Sequence, residues 1–370
     1  MRTSPFFRLS SLAILAAAAA FGIGEVRAAT LELVAGGGQT EKDAAALSCR
    51  LKEPFGVEFL PSGEMLVVEM TSGNRVLKVD RSGILTQIAG TGAKGLSGDG
   101  GPALGASFNG IHNLAVTPAG DILLCDSFNN LLRGVDARTG IIRTLAGGVG
   151  AGASAAGATT NSEPALDARF STLIQIALEP SGRHLLMADI GHRRICRLDL
   201  ASGMIETVAG NGQRGVPSDG APARQAPLVD PRAVVADGAS GFYILERGGN
   251  ALRHVDAAGV IRTVAGTGKA GDSGDGGPAL QATFNGPKHL CMDRDGSVLI
   301  ADAENHVVRR YSPATGMVTR VAGTGKAGMG ATGGEPLQTA LRRPHGVTVG
   351  PDGMLYITDS YNDRVLRLVP

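Results

Sequence analysis

The chain has 370 residues, 43% of them hydrophobic, which is enough for one large or two ordinary globular domains. Its formal net charge is +1 with no block of like charge, so the sequence lacks the clustered cations of a non-specific nucleic-acid binder. The 55 glycines follow no triplet period, which excludes collagen and favours many turns between short strands.

The N-terminus has the features of an export signal. Arg2 and Arg8 give a positive start before an apolar run at 9–20, and residues 26–28 are suited to signal peptidase. We therefore expect residues 1–28 to be a signal peptide and residues 29–370 to be exported to the periplasm or secreted. The alternative is a retained membrane anchor, for which the run is short. We expect no membrane span after cleavage.

One phrase recurs along the chain, an apolar residue followed by Ala-Gly. Its alanines lie 54, 57, 63, 56 and 57 residues apart, at Ala35, Ala89, Ala146, Ala209, Ala265 and Ala322. A nearly fixed period of this size indicates a repeat architecture.

The last repeat predicts a unit of short strands. Residues 344–349 alternate as strand A, 354–358 form strand B, and 364–368 form strand C after a loop. In complete units a strand D follows, as at 260–265. Four-stranded units repeated radially make propeller blades, so we predict an all-β fold, a six-bladed β-propeller of four-stranded antiparallel blades.

The two ends of the predicted propeller complement each other. Residues 30–34 form a strand D with no blade before it, and the chain stops after strand C of the sixth unit. We therefore predict that the N-terminal strand pairs with residues 364–368 and closes the ring, because this covers two open strand edges.

Several motifs resemble NHL repeats over nearly all of residues 30–370. The most specific are Val264-Ala265-Gly266-Thr267-Gly268, Gly274-Asp275-Gly276-Gly277-Pro278-Ala279, Pro287, Leu299-Ile300-Ala301-Asp302 and Asn305. The Gly-Asp-Gly-Gly-Pro segments look like those of teneurin propellers and of bacterial secreted NHL proteins. The resemblance implies a binding platform for most members. Some relatives, the peptidyl-hydroxyglycine lyases, hold a metal with histidines, so the fold alone does not decide the function.

A first set of candidate residues lies at the start of strand A, the innermost strand. We call it the mouth ring: Phe55, His112, Ile174, Arg232, Lys288 and His345. Four of the six are polar or cationic, and convergent polar groups around a concavity are the usual sign of a binding site. The alternative is a solvated rim without a ligand. We predict that His112, Arg232, Lys288 and His345 bind an anionic or polar group, more strongly as the histidines protonate near pH 6.5.

A second set, the acidic ring, lies at the end of strand B: Glu69, Asp126, Asp189, Glu246, Asp302 and Asp359. A residue required in every blade belongs to the blade, so we expect these acids to accept backbone N–H bonds and shape the turn. The mouth-ring cations could also neutralise some of them. The Gly-Asp-Gly-Gly loops at 98–101 and 274–277 are expected to be structural as well, because one carboxylate is far from a calcium site.

Catalysis has weaker support. Pro344-His345 matches the metal-binding position of the lyases and His112 aligns with it, but two histidines are short of three zinc ligands, and His289 is one residue out of register. We expect no catalytic residues, metal or cofactor. Cys49, Cys125, Cys196 and Cys291 fit no metal spacing and are predicted to form no disulfide.

The sequence thus favours an exported, non-catalytic platform. Its expected partner is a protein, a peptide or a small anionic or polar ligand on the face that carries the D-to-A loops. The alternatives left open are a metal-dependent lyase or hydrolase and a purely structural protein of the cell envelope.

Overall fold

The computed structural model describes residues 28–148 and 162–370. The expected signal peptide lies almost wholly outside these residues. Within them no helix is long and apolar enough to cross a membrane.

The described chain forms six antiparallel sheets in a ring, as predicted. Strands A to D span Pro54–Phe59, Met65–Glu69, Arg75–Val79 and Ile84–Ala89 in blade 1. They span Ile111–Val116, Ile122–Asp126, Leu131–Val135 and Ile142–Ala146 in blade 2. They span Leu173–Leu178, His184–Asp189, Arg194–Asp199 and Met204–Ala209 in blade 3.

The second half of the ring repeats this order. Strands A to D span Pro231–Ala236, Phe242–Glu246, Ala251–Val255 and Val260–Ala265 in blade 4. They span His289–Met292, Val298–Asp302, Val307–Ser312 and Met317–Ala322 in blade 5. Strands A to C of blade 6 span Gly346–Val349, Leu355–Asp359 and Arg364–Val369.

The predicted closure of the ring is confirmed. Strand D of blade 6 is the N-terminal strand Thr30–Gly36, which pairs antiparallel with strand C from Thr30 opposite Val369 to Gly36 opposite Arg364. Both sheet edges that would otherwise be open are therefore covered.

The blades differ from the prediction in one respect, because the D-to-A connectors run back along the outer edge of the blade they enter. Four blades gain a two-residue fifth strand there, at Ala44–Ala45, Glu163–Pro164, Ala221–Pro222 and Gly277–Pro278. Blades 2 and 6 have single bridges at the same place, Pro102 to Ile141 and Leu31 to Gly334. Much of each connector thus covers the outer strands.

Short 3₁₀ turns complete the described chain. They span Ala46–Ser48, Ala103–Gly105, Ser127–Asn129, Ala223–Gln225, Ala279–Gln281, Ala303–Asn305, Pro336–Gln338 and Ser360–Asn362. The hydrophobic core is divided into six clusters, one between each pair of neighbouring blades. Alternate residues of each strand thus bury both faces of the sheet.

Steric constraints explain why the recurring phrase always ends in glycine. At Gly36, Gly90, Gly147, Gly210, Gly266 and Gly323 φ lies between +87° and +96°. A Cβ there would come within 2.1–2.5 Å of the carbonyl oxygen of the residue before strand C. No side chain can occupy that space, so the repeat requires glycine where strand D ends beside strand C.

The four cysteines lie in the described part as free thiols, three buried and Cys291 half-buried. Burial raises the thiol pKa of each, to about 12 for Cys196. They are therefore poor nucleophiles.

Candidate functional site

The acidic ring is bound into the turns of the fold. Each of its carboxylates is fully buried and accepts a hydrogen bond of 2.5–2.8 Å from a backbone N–H just before strand A, 17 positions earlier in five blades and 18 positions earlier for Asp189. In three blades an asparagine of the B-to-C loop also donates to it at 2.8 Å, as Asn129 does to Asp126. These contacts are those of a structural carboxylate.

The cations that pair with the acidic ring lie on strand C, and this departs from the sequence expectation. They are Arg75, Arg133, Arg194, Arg253, Arg309 and Arg364, at distances up to 3.7 Å from the carboxylates. Burial nevertheless raises the carboxyl pKa of Glu69, Asp126, Asp359 and Asp302, to about 7 for Asp302. The mouth-ring cations are consequently left without these acids as partners.

The aspartate of each Gly-Asp-Gly-Gly loop also binds the blade. Asp99 accepts from Arg133 at 2.6 Å and from the backbone N–H of Thr144 at 2.9 Å. Asp275 likewise contacts Arg309 and Arg320, each at 2.8 Å. These loops attach the connector to strands C and D.

The mouth ring lies where the six A strands begin, and its side chains are mostly buried. Phe55 stacks on His345 with ring centroids 4.1 Å apart and meets His112 edge-on at 5.4 Å. Arg232 and Lys288 both lower the pKa of the two histidines by their charge. The four polar residues that the sequence singled out are therefore close enough to form one site, and Ile174 contributes a buried apolar side chain beside them.

Arg232 is the most unusual of these residues. It is only 6% exposed and makes no ion pair with any carboxylate of the described chain. Burial, and next the nearby charge of Arg247, lowers its pKa to about 9. The nearby acid Asp230 is bonded to Arg247 at 2.8 Å instead. A buried guanidinium with no bonded counter-charge is costly unless a ligand supplies one.

Unlike Arg232, Lys288 has a carboxylate partner that balances its charge. Its ammonium group lies 3.2 Å from Glu304, which also binds Arg343. Burial, and next the charge of Arg232, lowers the pKa of Lys288. Four cations, Arg232, Arg247, Lys288 and Arg343, thus meet three carboxylates, Asp230, Glu304 and Glu53, around the mouth, and the local charge is positive when the histidines are neutral.

The histidines differ from the sequence expectation in their titration. Burial, and next the charge of Arg232, holds the pKa of both His112 and His345 well below the ordinary range. They therefore stay neutral at pH 6.5. Nδ1 of His345 lies 2.8 Å from the carbonyl oxygen of Arg343, whereas the buried Nδ1 of His112 has no hydrogen-bond partner, with the Gly110 carbonyl near but out of bonding geometry.

A polar layer that the sequence did not reveal closes the channel below the mouth ring. Nε2 of His289 lies 3.1 Å from Nδ2 of Asn113 and 3.4 Å from Nε2 of Gln175. Asn113 and Gln175 also accept backbone N–H groups of the next blades, those of Ile176 and Val234. Because blades 2 and 5 lie opposite each other, the contact between Asn113 and His289 crosses the axis.

Glu58 lies lower on strand A, on the other side of this layer. It makes no ion pair within the described chain, and its nearest side-chain partner is the Thr348 hydroxyl at 3.5 Å. Burial raises its pKa from 4.5 to about 7. The folded state therefore binds a proton that the unfolded chain releases between these two pH values.

We expect Glu58→Gln to stabilise the protein at pH 8. The stabilisation that the raised pKa confers is complete below pH 4.5 and is lost as pH rises through about 7. The amide removes this loss, which amounts to about 2 kcal/mol once access of channel water is allowed for. Chemical unfolding at pH 8 and pH 5 measures it, with exposed Glu335→Gln as control. An equal effect at both pH values contradicts the assignment.

A further set of residues surrounds the mouth on the B-to-C loops, two positions after each member of the acidic ring. It comprises Thr71, Phe128, Gly191, Gly248, Glu304 and Tyr361, and we call it the rim. These residues could have been recognised in the sequence by their fixed position, two residues after each acid. The rim residues of blades 2 and 6 are large aromatic residues. Those of blades 3 and 4, near Arg232, are glycines and have no side chain.

The two mouth-ring histidines do not form a shared metal site. The Phe55 ring packs against both of them. Across residues 28–148 and 162–370, no group of three His, Cys, Asp or Glu side chains is placed to hold a metal ion. The mouth thus combines cationic side chains with aromatic rings.

The blade pattern and the site can now be compared with known proteins. The family model of the NHL repeat matches residues 341–368, which include strands A to C of blade 6. The chain is thus a six-bladed propeller that carries an NHL repeat at residues 341–368. The match falls on the repeat whose acid, Asp359, and strand C arginine, Arg364, form the contacts described above.

The chain is also similar to a longer protein. It is 24% identical over 293 residues to "Protein SUPPRESSOR OF QUENCHING 1, chloroplastic" of Arabidopsis thaliana, which covers 76% of this chain. The chain spans about a quarter of that relative's length, because the match covers 27% of it.

Two solved structures show the same fold. An auxiliary nutrient binding protein from Bacteroides ovatus ATCC 8483 is 16% identical with a TM-score of 0.66, covering 93% of this chain and 77% of its own. A virginiamycin B lyase from Staphylococcus aureus is 13% identical with a TM-score of 0.53, covering 87% and 97%. At these identities the likeness is one of fold alone.

Proposed function

We propose that this NHL-repeat propeller is a non-catalytic binding protein that takes the anionic group of its ligand at the mouth. Arg232 and Lys288 supply the charge, and His112 and His345 act as neutral polar neighbours. The observation that carries the proposal is the buried guanidinium of Arg232, which has no bonded carboxylate within the described chain. An anion would fill the place that a structural carboxylate fills for each strand C arginine.

The electrostatics of the mouth support this use. Arg247 and Lys288 add positive charge close to Arg232, and these charges lower the pKa of the neighbouring basic groups. Positive charge in a partly desolvated cavity attracts an anion more strongly than the same charge on an open surface.

The test uses inorganic and organic anions as probes. Thermal-shift titrations with phosphate, sulfate, acetate and citrate at constant ionic strength are expected to raise the Tm of the native protein for at least one of them. The double variant Arg232→Ala, Lys288→Ala is expected to lose at least about tenfold in affinity, since each removed contact is charge-assisted.

The matched control is Arg183→Ala with Arg262→Ala, because these exposed arginines form ion pairs with Asp199 and Asp256 instead of lining the mouth. The control should leave the affinity unchanged. Equal affinity of the mouth variant and the native protein would place the anion elsewhere, and an absence of any shift would contradict the proposal.

The proposal includes export to the periplasm or the exterior after removal of residues 1–28. Its support is the charged, apolar and small-residue pattern of the N-terminus. The similarity of fold to a nutrient binding protein fits a small-molecule ligand. So does the limited exposure of the anchors, which admits a small group more easily than a folded partner.

A further inference from the structure

An unbroken line of aromatic rings follows one half of the mouth. Phe128 meets His112 at a centroid distance of 5.4 Å, His112 meets Phe55 at 5.4 Å, Phe55 stacks on His345 at 4.1 Å, and His345 lies 5.6 Å from Tyr361. We call these five residues the aromatic arc. It spans blades 2, 1 and 6.

The two ends of the aromatic arc reach solvent although its middle is buried. Phe128 is 47% exposed and Tyr361 is 38% exposed, whereas the three rings between them are less than 9% exposed. The Phe128 backbone is held by a hydrogen bond from its N–H to the Asn109 carbonyl, which fixes the place of the exposed ring. An exposed ring beside a concave, buried site is suited to stacking on a ligand.

The other half of the mouth is cationic. Arg232 and Arg247 belong to blade 4 and Lys288 to blade 5, opposite the middle of the aromatic arc. The rim residues over blades 3 and 4 are Gly191 and Gly248, so no side chain from these positions covers the approach to Arg232. The mouth therefore has one face for a planar apolar group and one for a negative charge.

We propose that the ligand is a small aromatic carboxylate, with its ring against the aromatic arc and its carboxylate on Arg232. This rests on the proposed function and specifies its ligand. Charge complementarity fixes the carboxylate end, because Arg232 has no bonded acid in the described chain and guanidinium binds carboxylate bidentately. The low exposure of Arg232 limits the ligand to a small molecule.

Calorimetric titration with benzoate, acetate and benzyl alcohol separates the two contributions. Benzoate is expected to bind roughly two- to tenfold more tightly than acetate, the range expected for one aromatic contact. Benzyl alcohol, which keeps the ring and lacks the charge, is expected to bind more weakly than benzoate. Arg232→Ala should weaken benzoate and acetate alike.

Substitutions in the aromatic arc test the ring contact. Phe128→Leu with Tyr361→Leu keeps apolar volume but removes both exposed rings, and is expected to reduce benzoate affinity to that of acetate while acetate affinity stays unchanged. Tyr361→Phe keeps the ring next to Arg343, whose guanidinium lies 4.9 Å from its centroid, and should behave as the native protein. Phe59→Leu is the control, because its ring packs on Tyr356 at the opposite end of strand A.

Circular dichroism melting of each variant establishes that it is folded. Equal native affinities for benzoate and acetate, both dependent on Arg232, would overturn the aromatic assignment and leave the anion site standing. Unchanged benzoate affinity in the Phe128, Tyr361 double variant would also overturn it. Binding of neither compound at millimolar concentrations would overturn both proposals.

Discussion

Replacing Arg309 with methionine is expected to lower the free energy of unfolding by about 3–5 kcal/mol. The Arg309 side chain is fully buried and donates to Asp275 at 2.8 Å and to the backbone carbonyl of Thr283 at 2.6 Å. It also lies 3.4 Å from Asp302 and over the ring of Phe284. Methionine keeps an unbranched apolar stem but leaves the fully buried Asp302 without its cation, whereas Asp275 keeps Arg320.

Arg310→Met on the same strand is the matched control. Arg310 is over a third exposed and pairs with Asp293, so its loss is expected to cost at most about 1 kcal/mol. Urea unfolding of the native protein and both variants measures the two differences. Equal losses would show that the strand C arginines are ordinary surface ion pairs and would remove the basis for assigning the acidic ring to the blade.

Deleting residues 29–36 is expected to abolish the soluble monomer. The deletion removes the whole of strand D from blade 6 and exposes the edge of strand C from Arg364 to Val369. It also removes Leu31, which is fully buried in the cluster between blades 5 and 6, and so uncovers the apolar residues of that cluster. An unpaired strand edge with adjacent apolar surface promotes association between chains.

Size-exclusion chromatography with light scattering measures this outcome. A synthetic peptide of residues 29–36 added during refolding serves as the control, because it supplies the missing strand and should restore part of the monomer. A deleted chain that elutes as a monomer and melts at the native temperature would contradict a closing role for the N-terminal strand.

The ring of six blades was predictable from the sequence because every repeat carries the same steric demand. Gly266 and its counterparts can only be glycine, so the phrase survives in all six units. The closing strand followed from the incomplete last unit. The outer fifth strands were not predictable, since a two-residue bridge such as Gly277–Pro278 leaves no alternation pattern.

The candidate site was predictable only in part. Alignment on the strand A start identified Arg232 and His345, because a ring of equivalent positions follows from the repeat. The burial that keeps the histidines neutral depends on tertiary packing, which residue types do not report. Asn113 and Gln175 were not identified from the sequence, and His289 was set aside as out of register, because their contacts join residues 114 and 176 positions apart.

The shared blade at the ends of the chain has a consequence for how the propeller can be tethered. Thr30 lies opposite Val369, where strand C ends and strand D begins, which is the face away from the mouth. A linker, label or solid support attached before residue 30 or after residue 370 therefore emerges there, at the outer edge of blade 6. Attachment at either end leaves Arg232 and the aromatic arc facing away from the point of anchorage.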